Sequence, residues 1–544
     1  MTTAIAPYQS AAQPGRAGFA QLLHAEWTKF RTVRGWVAGL LLAGLLMVAV
    51  GLLNHSQCGV ATMNANGTEQ TSGCPASPIG PGGEAVTDNF YFVHQALPAN
   101  GTITARVTSL TGLYSPSGGV SAGAAGASPL AGFVSGVQPW AKAGIMIKAS
   151  VSPGAAYAAM LVTGGNGVRM QDNFTGDTAG LPGPVTAASP RWLRLVRSGD
   201  TVTGYDSADG TSWTSIGRVT LPGVTATAQV GLFAASPGYT VTSTSFGGSH
   251  SGGGPTLATA AFDHLALSGT GGAWAGTSVG NGGPAGAPLP PSNDPFLGSY
   301  KSSGGTYTVS GSGDIAPDVP GASDSNGTNI TAALGTSAFF ALIAMVVVGA
   351  MFITAEYRRG LIKTTFAASP RRGRVLAAKA VVLGGVTFLV GLAGIAVALP
   401  VTEAVLRSGG NWILPLPVLT TVRLMVGTAA VLAVAAVLAL AIGTIARRGV
   451  AAVSTVIVLI TLPFLFAVIP GILPSGAQDW MLRVFPAAGL AVTQALPRYH
   501  QVFTGYTSAD GYYPLPGWAG FAVLCVWAAV ALAAAGYLVR RRDA

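Results

Sequence analysis

Apolar residues are gathered into six long runs, with polar residues confined to the stretches between them. Gly35 to Leu53, Ala333 to Thr354, Ala380 to Pro400, Leu424 to Ile445, Val450 to Pro470 and Trp518 to Val539 contain no Asp, Glu, Lys, Arg or His. Each is about 20 residues long, enough to cross a hydrocarbon layer of about 30 Å as a helix. The stretch between the first two runs has a different period. TITARVTSL (102–110), KAGIMIKASV (142–151), RWLRLVRS (191–198), TVTGYDS (201–207), SWTSIGRV (212–219), AQVGLFAAS (228–236) and TAAFDHLALS (259–268) are short β-rich runs separated by turn residues, the pattern of an all-β domain. Asp209-Gly210 is a two-residue hairpin signal, because both positions tolerate positive φ.

The pattern predicts an α-helical polytopic membrane protein of six transmembrane helices with an inserted all-β sandwich. Residues 1–34 form a leader with an amphipathic helix, 35–53 the first span, and 54–268 the insert, with the sandwich from about residue 86. Residues 269–332 are rich in Gly, Ser and Pro and read as a flexible tether, in which GGTYTVSGSGDIAP (304–317) could add a strand. Residues 333–544 carry the other five spans (333–354, 380–400, 424–445, 450–470 and 518–539), with a polar loop at 355–379.

Composition agrees with a membrane class: 49% hydrophobic, 9% charged, mean hydropathy +0.50 over 544 residues. Charge then orients the chain. Residues 55–330 hold nine Lys/Arg against thirteen Asp/Glu, so the net charge of +10 comes from the membrane half. With the amino terminus in the cytoplasm, Lys29, Arg31, Arg34, the loop from Arg358 to Lys379, Arg447, Arg448 and the tail Arg540 to Arg542 all fall inside, as the positive-inside bias requires. Both termini are then cytoplasmic and the β-domain extracellular. The basic residues flank apolar runs and form no patch with interleaved aromatics, so nucleic acid is not an expected partner. The first run lacks a small-residue cleavage site and is read as a retained span.

Candidate chemistry is sparse. There is no G-x-x-x-x-G-K-[ST] and no H-E-x-x-H, and no cysteine pair has zinc spacing, so the chain is expected to bind no nucleotide by a P-loop and no metal, and not to be an enzyme. Cys58 and Cys74 could close a disulfide worth roughly 3 kcal/mol on an oxidising side of the membrane, or remain two thiols. The spans lack the ionisable groups of ion-coupled transport, so any transport work must be delivered from a cytoplasmic surface. The loop RRGLIKTTFAASPRRGR breaks at Gly360 and stops at Ser369-Pro370, predicting a short surface helix with Leu361, Ile362 and Phe366 on its apolar side.

LLHAEWTKFRTVRGW (22–36) followed by a span, and FITAEYRRGLIKTTFAASPRRGRVLAAKA (352–380), resemble the permease subunits of bacterial type-2 ATP-binding cassette (ABC) exporters. The resemblance implies an interface helix carrying Trp27, Lys29, Phe30, Arg31 and Arg34, with Phe19, Leu22, Leu23 and Val33 at helical spacing. It implies a coupling loop in which Arg358, Arg359, Gly360, Leu361, Lys363, Phe366, Arg371 and Arg372 meet a separate ATPase subunit. That partner would use ATP and magnesium, while this chain binds no cofactor. A second permease copy or a paralogue would complete the transporter in the bacterial plasma membrane, and PSGAQDWMLRVFPAAGLAVTQALP (474–497) suits a re-entrant outer segment.

The insert departs from that family. DNFYFVHQAL (88–97), WAKAGIMIKAS (140–150), PRWLRLVRSGDTVTGYDSADGTSWTSIG (190–217) and ATAAFDHLAL (258–267) resemble concanavalin A-like and laminin G-like, jelly-roll-type β-sandwiches. That likeness makes Trp140, Trp192, Tyr205 and Trp213 candidates to stack an extracellular glycan, with burial in the core as the competing expectation. A membrane-anchored carbohydrate-binding or wall-sensing protein is the alternative to a permease.

Overall fold

A computed structural model describes residues 18–53, 60–63, 69–72, 74–116, 130, 132–245, 248–269, 272–280, 294–320, 322, 325, 327–328, 330–368, 371–469, 473–502, 504, 506, 508 and 511–541. Among these residues six helices are long and apolar enough to cross a membrane. In chain order the helices are α1 (Phe19–Thr32), α2 (Arg34–Leu53), α3 (Ile330–Arg358), α4 (Leu361–Ala368), α5 (Arg372–Ser408), α6 (Val418–Ala446), α7 (Gly449–Val468), α8 (Ser475–Val484) and α9 (Gly517–Arg541).

Helix α6 is the centre of the bundle and packs on α3, α5, α7 and α9. Its buried face is rich in small residues, among them Ala429, Ala435, Ala436, Ala439 and Gly443. Small residues let helix backbones approach where lipid offers no hydrophobic drive to associate. At the α3 crossing a side chain on Gly349 would lie 2.4 Å from the Ala436 carbonyl oxygen, so only glycine fits there. Between α8 and α9 a 3-10 segment, Pro486–Thr493, is buried throughout and packs on α6 and α9.

Helix α5 is longer than the span expected at 380–400. It begins at Arg372 and continues through Pro400 to Ser408, about 55 Å at 1.5 Å per residue. A proline removes one helical hydrogen bond. Beyond it the Glu403–Arg407 pair, at 2.6 Å and four residues apart, supports the last turns.

Residues between α2 and α3 form two antiparallel sheets packed face to face. One has the strand order Gly176–Ala179, Val168–Asp172, Tyr157–Thr163, Lys142–Lys148, Ala228–Ala235, Phe90–Leu97 and Ala275–Val279. The other runs Thr214–Thr220, Thr201–Ser207, Arg191–Ser198, Asn100–Tyr114, Thr256–Ser268, Thr306–Gly311 and Ser299–Ser303, with Val134–Ser135 beside Asn100–Tyr114. Ile103, Leu193, Leu195 and Val202 from the second sheet meet Val93, Ile145, Ile147 and Leu232 from the first in one core.

The tether expectation for 269–332 is corrected over much of its length. Ala275–Val279 closes one edge of the first sheet, and Ser299–Ser303 with Thr306–Gly311 extends the second. Ile315–Pro317 pairs with Val86–Asp88. The stretch 304–317 holds the strands Thr306–Gly311 and Ile315–Pro317, as its pattern allowed, while Gly- and Ser-rich composition hides Ala275–Val279 and Ser299–Ser303; each satisfies its backbone on an edge already built by apolar neighbours. Residues 281–293 lie outside the described residues.

The strands Lys142–Lys148 and Tyr157–Thr163 are buried on both faces. The outer face is covered by the segments around Val86 and Ile315, which contribute to a second core with Phe90, Phe92, Met146, Tyr157, Phe174 and Phe233. Two lysines that alternate onto this face meet carboxylates from the covering layer. Lys142 Nζ donates to Asp314 Oδ1 at 2.6 Å, and Lys148 Nζ to Asp88 Oδ2 at 2.7 Å. Burial raises the Asp88 carboxyl above its ordinary range, opposed by the Lys148 charge.

The β-region is seated on the bundle. Gln501 Nε2 donates to the Phe174 carbonyl at 2.9 Å, and Ala316 and Val319 pack with Val502 and Tyr512. Gly327–Thr328 pairs in parallel with Trp412–Ile413 in the α5–α6 connection, and Cys74 N–H donates to Gly410 O at 2.9 Å.

Residues 208–213 join Thr201–Ser207 to Thr214–Thr220, so the two-residue turn expected at Asp209-Gly210 is corrected to a longer loop in which Gly210 takes φ +77° and Asp209 does not take positive φ. Asp209 accepts from the Ser212 and Thr211 N–H groups and from the Ser207 and Ser212 hydroxyls, which holds its carboxyl well below the ordinary value. A depressed pKa stabilises the fold at pH above the unfolded value, near 3.8, and the contribution is lost as pH falls below it. The melting temperature of the β-region in Asp209→Ala is therefore expected to lie below wild type by a constant margin from pH 7 to about 5, and the margin to shrink toward pH 3. A margin independent of pH over that range would show that the charge contributes nothing.

Candidate functional site

The candidate site is the end of the bundle where α4 lies, opposite the β-region. Helix α3 ends at Arg358, Gly360 turns the chain at φ +68°, α4 follows at once, and α5 begins at Arg372. Glycine takes that backbone conformation without strain. Ile362 and Phe366, one turn apart, face the bundle, while Lys363 and Thr364 face outward. Leu361, expected on the apolar side, is 49% exposed. Successive helical residues diverge by about 100°, so Leu361 and Ile362 cannot share a narrow contact.

The structure brings most of the expected loop residues to one surface. Arg358, Arg359 and Arg371 are exposed beside α4. Arg372 turns inward instead, donating Nη1 to the Val539 carbonyl at 3.0 Å and lying 5.4 Å from the Phe366 ring. Between α3, α4 and the start of α7 is a cavity of about 1120 Å³ whose lining includes Arg358, Lys363, Arg447 and Arg448 and no Asp or Glu.

Helix α1 lies against the start of α5. Phe30 is buried with its ring 5.6 Å from that of Phe352, and Trp36 approaches the same ring at 5.9 Å. Trp27, Arg31 and Arg34 are exposed.

Beneath this surface is a charge cluster outside the expectations drawn from sequence, just beyond the ends of the runs 333–354 and 380–400, which themselves hold no ionisable group. Lys379, expected at the end of the polar loop, is inside α5 and fully buried. Its Nζ donates to Glu26 Oε2 of α1 at 2.7 Å and to Glu356 Oε1 of α3 at 2.6 Å, and lies 5.0 Å from the Phe352 ring. Glu26 is 2% exposed. Lys29 joins from the rim, 3.0 Å from Glu26 Oε1 and 3.7 Å from Glu356 Oε1, and donates to Thr365 Oγ1 of α4 at 3.4 Å. Two lysines balance two glutamates, and the four ionic side chains bridge α1, α3 and α5, with Thr365 adding α4.

A signal for this cluster exists in the sequence. Glu26 interrupts the apolar stripe Leu22, Leu23, Phe30; Glu356 follows Phe352 and Ile353 at three- and four-residue spacing; Lys379 sits between Leu376, Val375 and Leu383, Val382. An ion on such a stripe needs a buried partner, and three occur at matching depth.

In the β-region, Trp140 is corrected from a candidate sugar platform to a core residue: it is 7% exposed, with the Arg169 guanidinium 5.7 Å from its ring. Trp192, Tyr205 and Trp213 are half-buried on the second sheet. The Arg194 guanidinium covers the Trp213 ring at 3.8 Å, and Trp192 packs against His264 and Arg106. Cys74 is disulfide-bonded and Cys525 is free, while Cys58 lies outside the described residues. Among the described residues no cluster of His, Cys, Asp and Glu is suited to hold a metal ion. The Gly-x-Ser-x-Gly string Gly276–Gly280 lies at an edge strand, without the strand-to-helix turn a nucleophile elbow needs.

Six spanning helices, an amphipathic α1 and a short helix after the second span define a polytopic membrane protein with an inserted β-region. Residues 21–544 match the family described as ABC-2 family transporter protein. The chain belongs to that family, and is a membrane subunit of an ABC transporter. No curated protein matches it. Among solved structures it is similar to a functionally unknown protein from Saccharomyces cerevisiae (15% identity, 39% of this chain and 97% of the other, TM-score 0.20). It is also similar to scytalido-glutamic peptidase with a transition state analog inhibitor (9% identity, 41% and 98%, TM-score 0.22) and to the GH43 BlXynB protein from Bacillus licheniformis (16% identity, 32% and 28%, TM-score 0.18). Likenesses this slight carry no argument about fold or activity.

Lys379→Met would leave two carboxylates sharing the single rim cation Lys29, and breaking a buried pair by removing one partner costs about 3–5 kcal/mol. The melting temperature of the detergent-purified protein is expected to fall accordingly, and Glu26→Gln added to Lys379→Met should recover part of the loss. A Lys379→Met protein as stable as wild type would mean that the cluster bears no load.

Proposed function

We propose that the chain is the membrane-spanning permease subunit of an ATP-driven exporter, driven through α4 by a separate ATPase subunit. The observation that carries the reading is the junction of α4 with the buried Lys379–Glu26–Glu356 cluster. A load applied to α4 reaches α3 and α5 directly through the chain and α1 through the ion pairs. A packed and charge-balanced junction transmits displacement as rigid-body movement because it has no cheap intermediate arrangement.

The docking face is the cationic rim. Arg358, Arg359, Lys363 and Arg371 are exposed around α4, and they complement an acidic surface on the ATPase. ATP and magnesium belong to that partner. In this reading the α4 side is cytoplasmic, both termini lie there, and the β-region is extracellular in a bacterial plasma membrane, consistent with the concentration of Lys and Arg at the α4 end. A second copy of this chain, or a paralogue, forms the other half of the path. The glycan-binding alternative gains no support: Trp140 is buried and Trp213 is capped by Arg194.

Replacing Arg358, Arg359 and Lys363 by Glu is expected to lower co-purification of the ATPase at least ten-fold, about 1.4 kcal/mol, while membrane insertion and the melting temperature stay unchanged. ATPase association equal to wild type in a folded triple variant would overturn the docking assignment.

A further inference from the structure

A second cavity lies at the other end of the bundle, toward the β-region. Its volume is about 470 Å³, and it is bounded by the first turns of α6, residues Gln494–Arg498 and the turn Tyr513–Gly517 that opens α9. Two arginines line it, Arg423 and Arg498, and no Asp or Glu does. This reverses the charge rule of the sequence, in which basic residues gather at the α4 end.

Both guanidiniums are fixed from one side. Arg423 donates Nη2 to the Gln494 carbonyl, and Arg498 donates Nη2 to the Tyr513 carbonyl at 3.1 Å. Arg498 also lies 5.9 Å from the Tyr506 ring. The Arg423 Nε–H is buried and has no hydrogen-bond partner among the described residues. The cavity lining thus holds two fixed cations and no carboxylate to neutralise them, so an anion is the complementary ligand. Helices α6 and α9 both begin at this cavity, and their free N–H groups add positive potential to that of the arginines. The same turns carry Val418, Leu419 and Trp518 exposed at 81%, 83% and 57%. Apolar and aromatic side chains exposed at the end of a spanning helix mark the level of the lipid headgroups.

We propose that this cavity binds a phosphate anion at headgroup level, with Arg423 and Arg498 as its ligands. Two guanidinium forks match the oxygens of a phosphodiester, and phosphate accepts bidentate pairs from arginine. The space exceeds a bare phosphate and leaves room for a glycerol-sized group. The phosphate is carried either by an anionic lipid of the surrounding leaflet or by a soluble molecule, and the two sources share this chemistry.

The test is native mass spectrometry of the full chain in detergent, titrated with phosphatidylglycerol, with phosphatidylcholine, or with glycerol 1-phosphate. Basic residues at the α4 end will bind anionic lipid too, so the readout is the difference between proteins. Arg423→Gln with Arg498→Gln is expected to lose one bound phosphatidylglycerol per chain, its affinity weakened at least ten-fold. Displacement of that lipid by glycerol 1-phosphate would assign a soluble source, and its persistence a lipid source. Thr420→Trp, which fills the cavity without removing a charge, should lose the same equivalent, so a folding defect in the arginine variant does not decide the matter. Phosphatidylglycerol stoichiometry and affinity unchanged in both variants would overturn the proposal.

Discussion

The ammonium of Lys379 is held between carboxylates that lie 353 and 23 residues away along the chain. A charge at this depth cannot be left without a partner, and the partners come from α1 and α3 while the lysine is on α5. The pairing therefore fixes three elements relative to one another. Hydrophobic contact alone would not: among apolar helix faces in lipid, sliding by a turn exchanges one set of aliphatic contacts for a similar one. Three ions with one shared geometry remove that degeneracy, as buried polar groups do when they set register. Helix α4 is the piece of chain between two of those helices and touches the third through Lys29, so its position is set by the same interaction.

The β-region uses the same device. Lys142 and Lys148 project from one strand toward Asp314 and Asp88, which belong to segments approaching from opposite sides of the domain in sequence. Once these pairs form, the covering layer around Val86 and Ile315 is locked over the sheet. That layer, with Phe174 and Tyr512, forms the seat of the domain on the bundle. The insert is thus joined to the permease by its backbone, by the parallel pairing at Trp412–Ile413 and by the contact at Gln501, so movement of the α5–α6 connection or of the segment before α9 is felt by the domain. The cavity with Arg423 and Arg498 lies among these same connections.

How far the residues could be read in advance depends on the range of the interaction concerned. The turn at Gly360 and the bend at Gly210 rest on backbone preference and are visible locally, although the length of the Asp209-Gly210 connection is not, and Ser369-Pro370 lies outside the described residues. Leu361 is exposed and not on the buried side with Ile362 and Phe366, because a short helix offers too few turns to fix its face. Pro400 reads locally as a helix end, whereas α5 continues past it to Ser408 with the Glu403–Arg407 pair in its last turns. Ala275–Val279 and Ser299–Ser303 leave no local signal because their stability is supplied by the edges they join, whereas Thr306–Gly311 and Ile315–Pro317 fall in the 304–317 stretch that the pattern marks as a strand. The partnership of Glu26, Glu356 and Lys379 left only a trace, each ion standing on an apolar stripe.

What the sequence by itself determined is the membrane class, the six spans, the β character of the insert and the short helix after the second span, since each depends on length, period and composition over a few neighbouring residues. Tertiary structure alone decided which ion meets which, where the arginines converge, how much of the Gly-rich segment becomes strand and where the insert sits. Those outcomes depend on distances between residues far apart in the chain, and hydrophobic period sets which face of an element is buried without naming what will cover it.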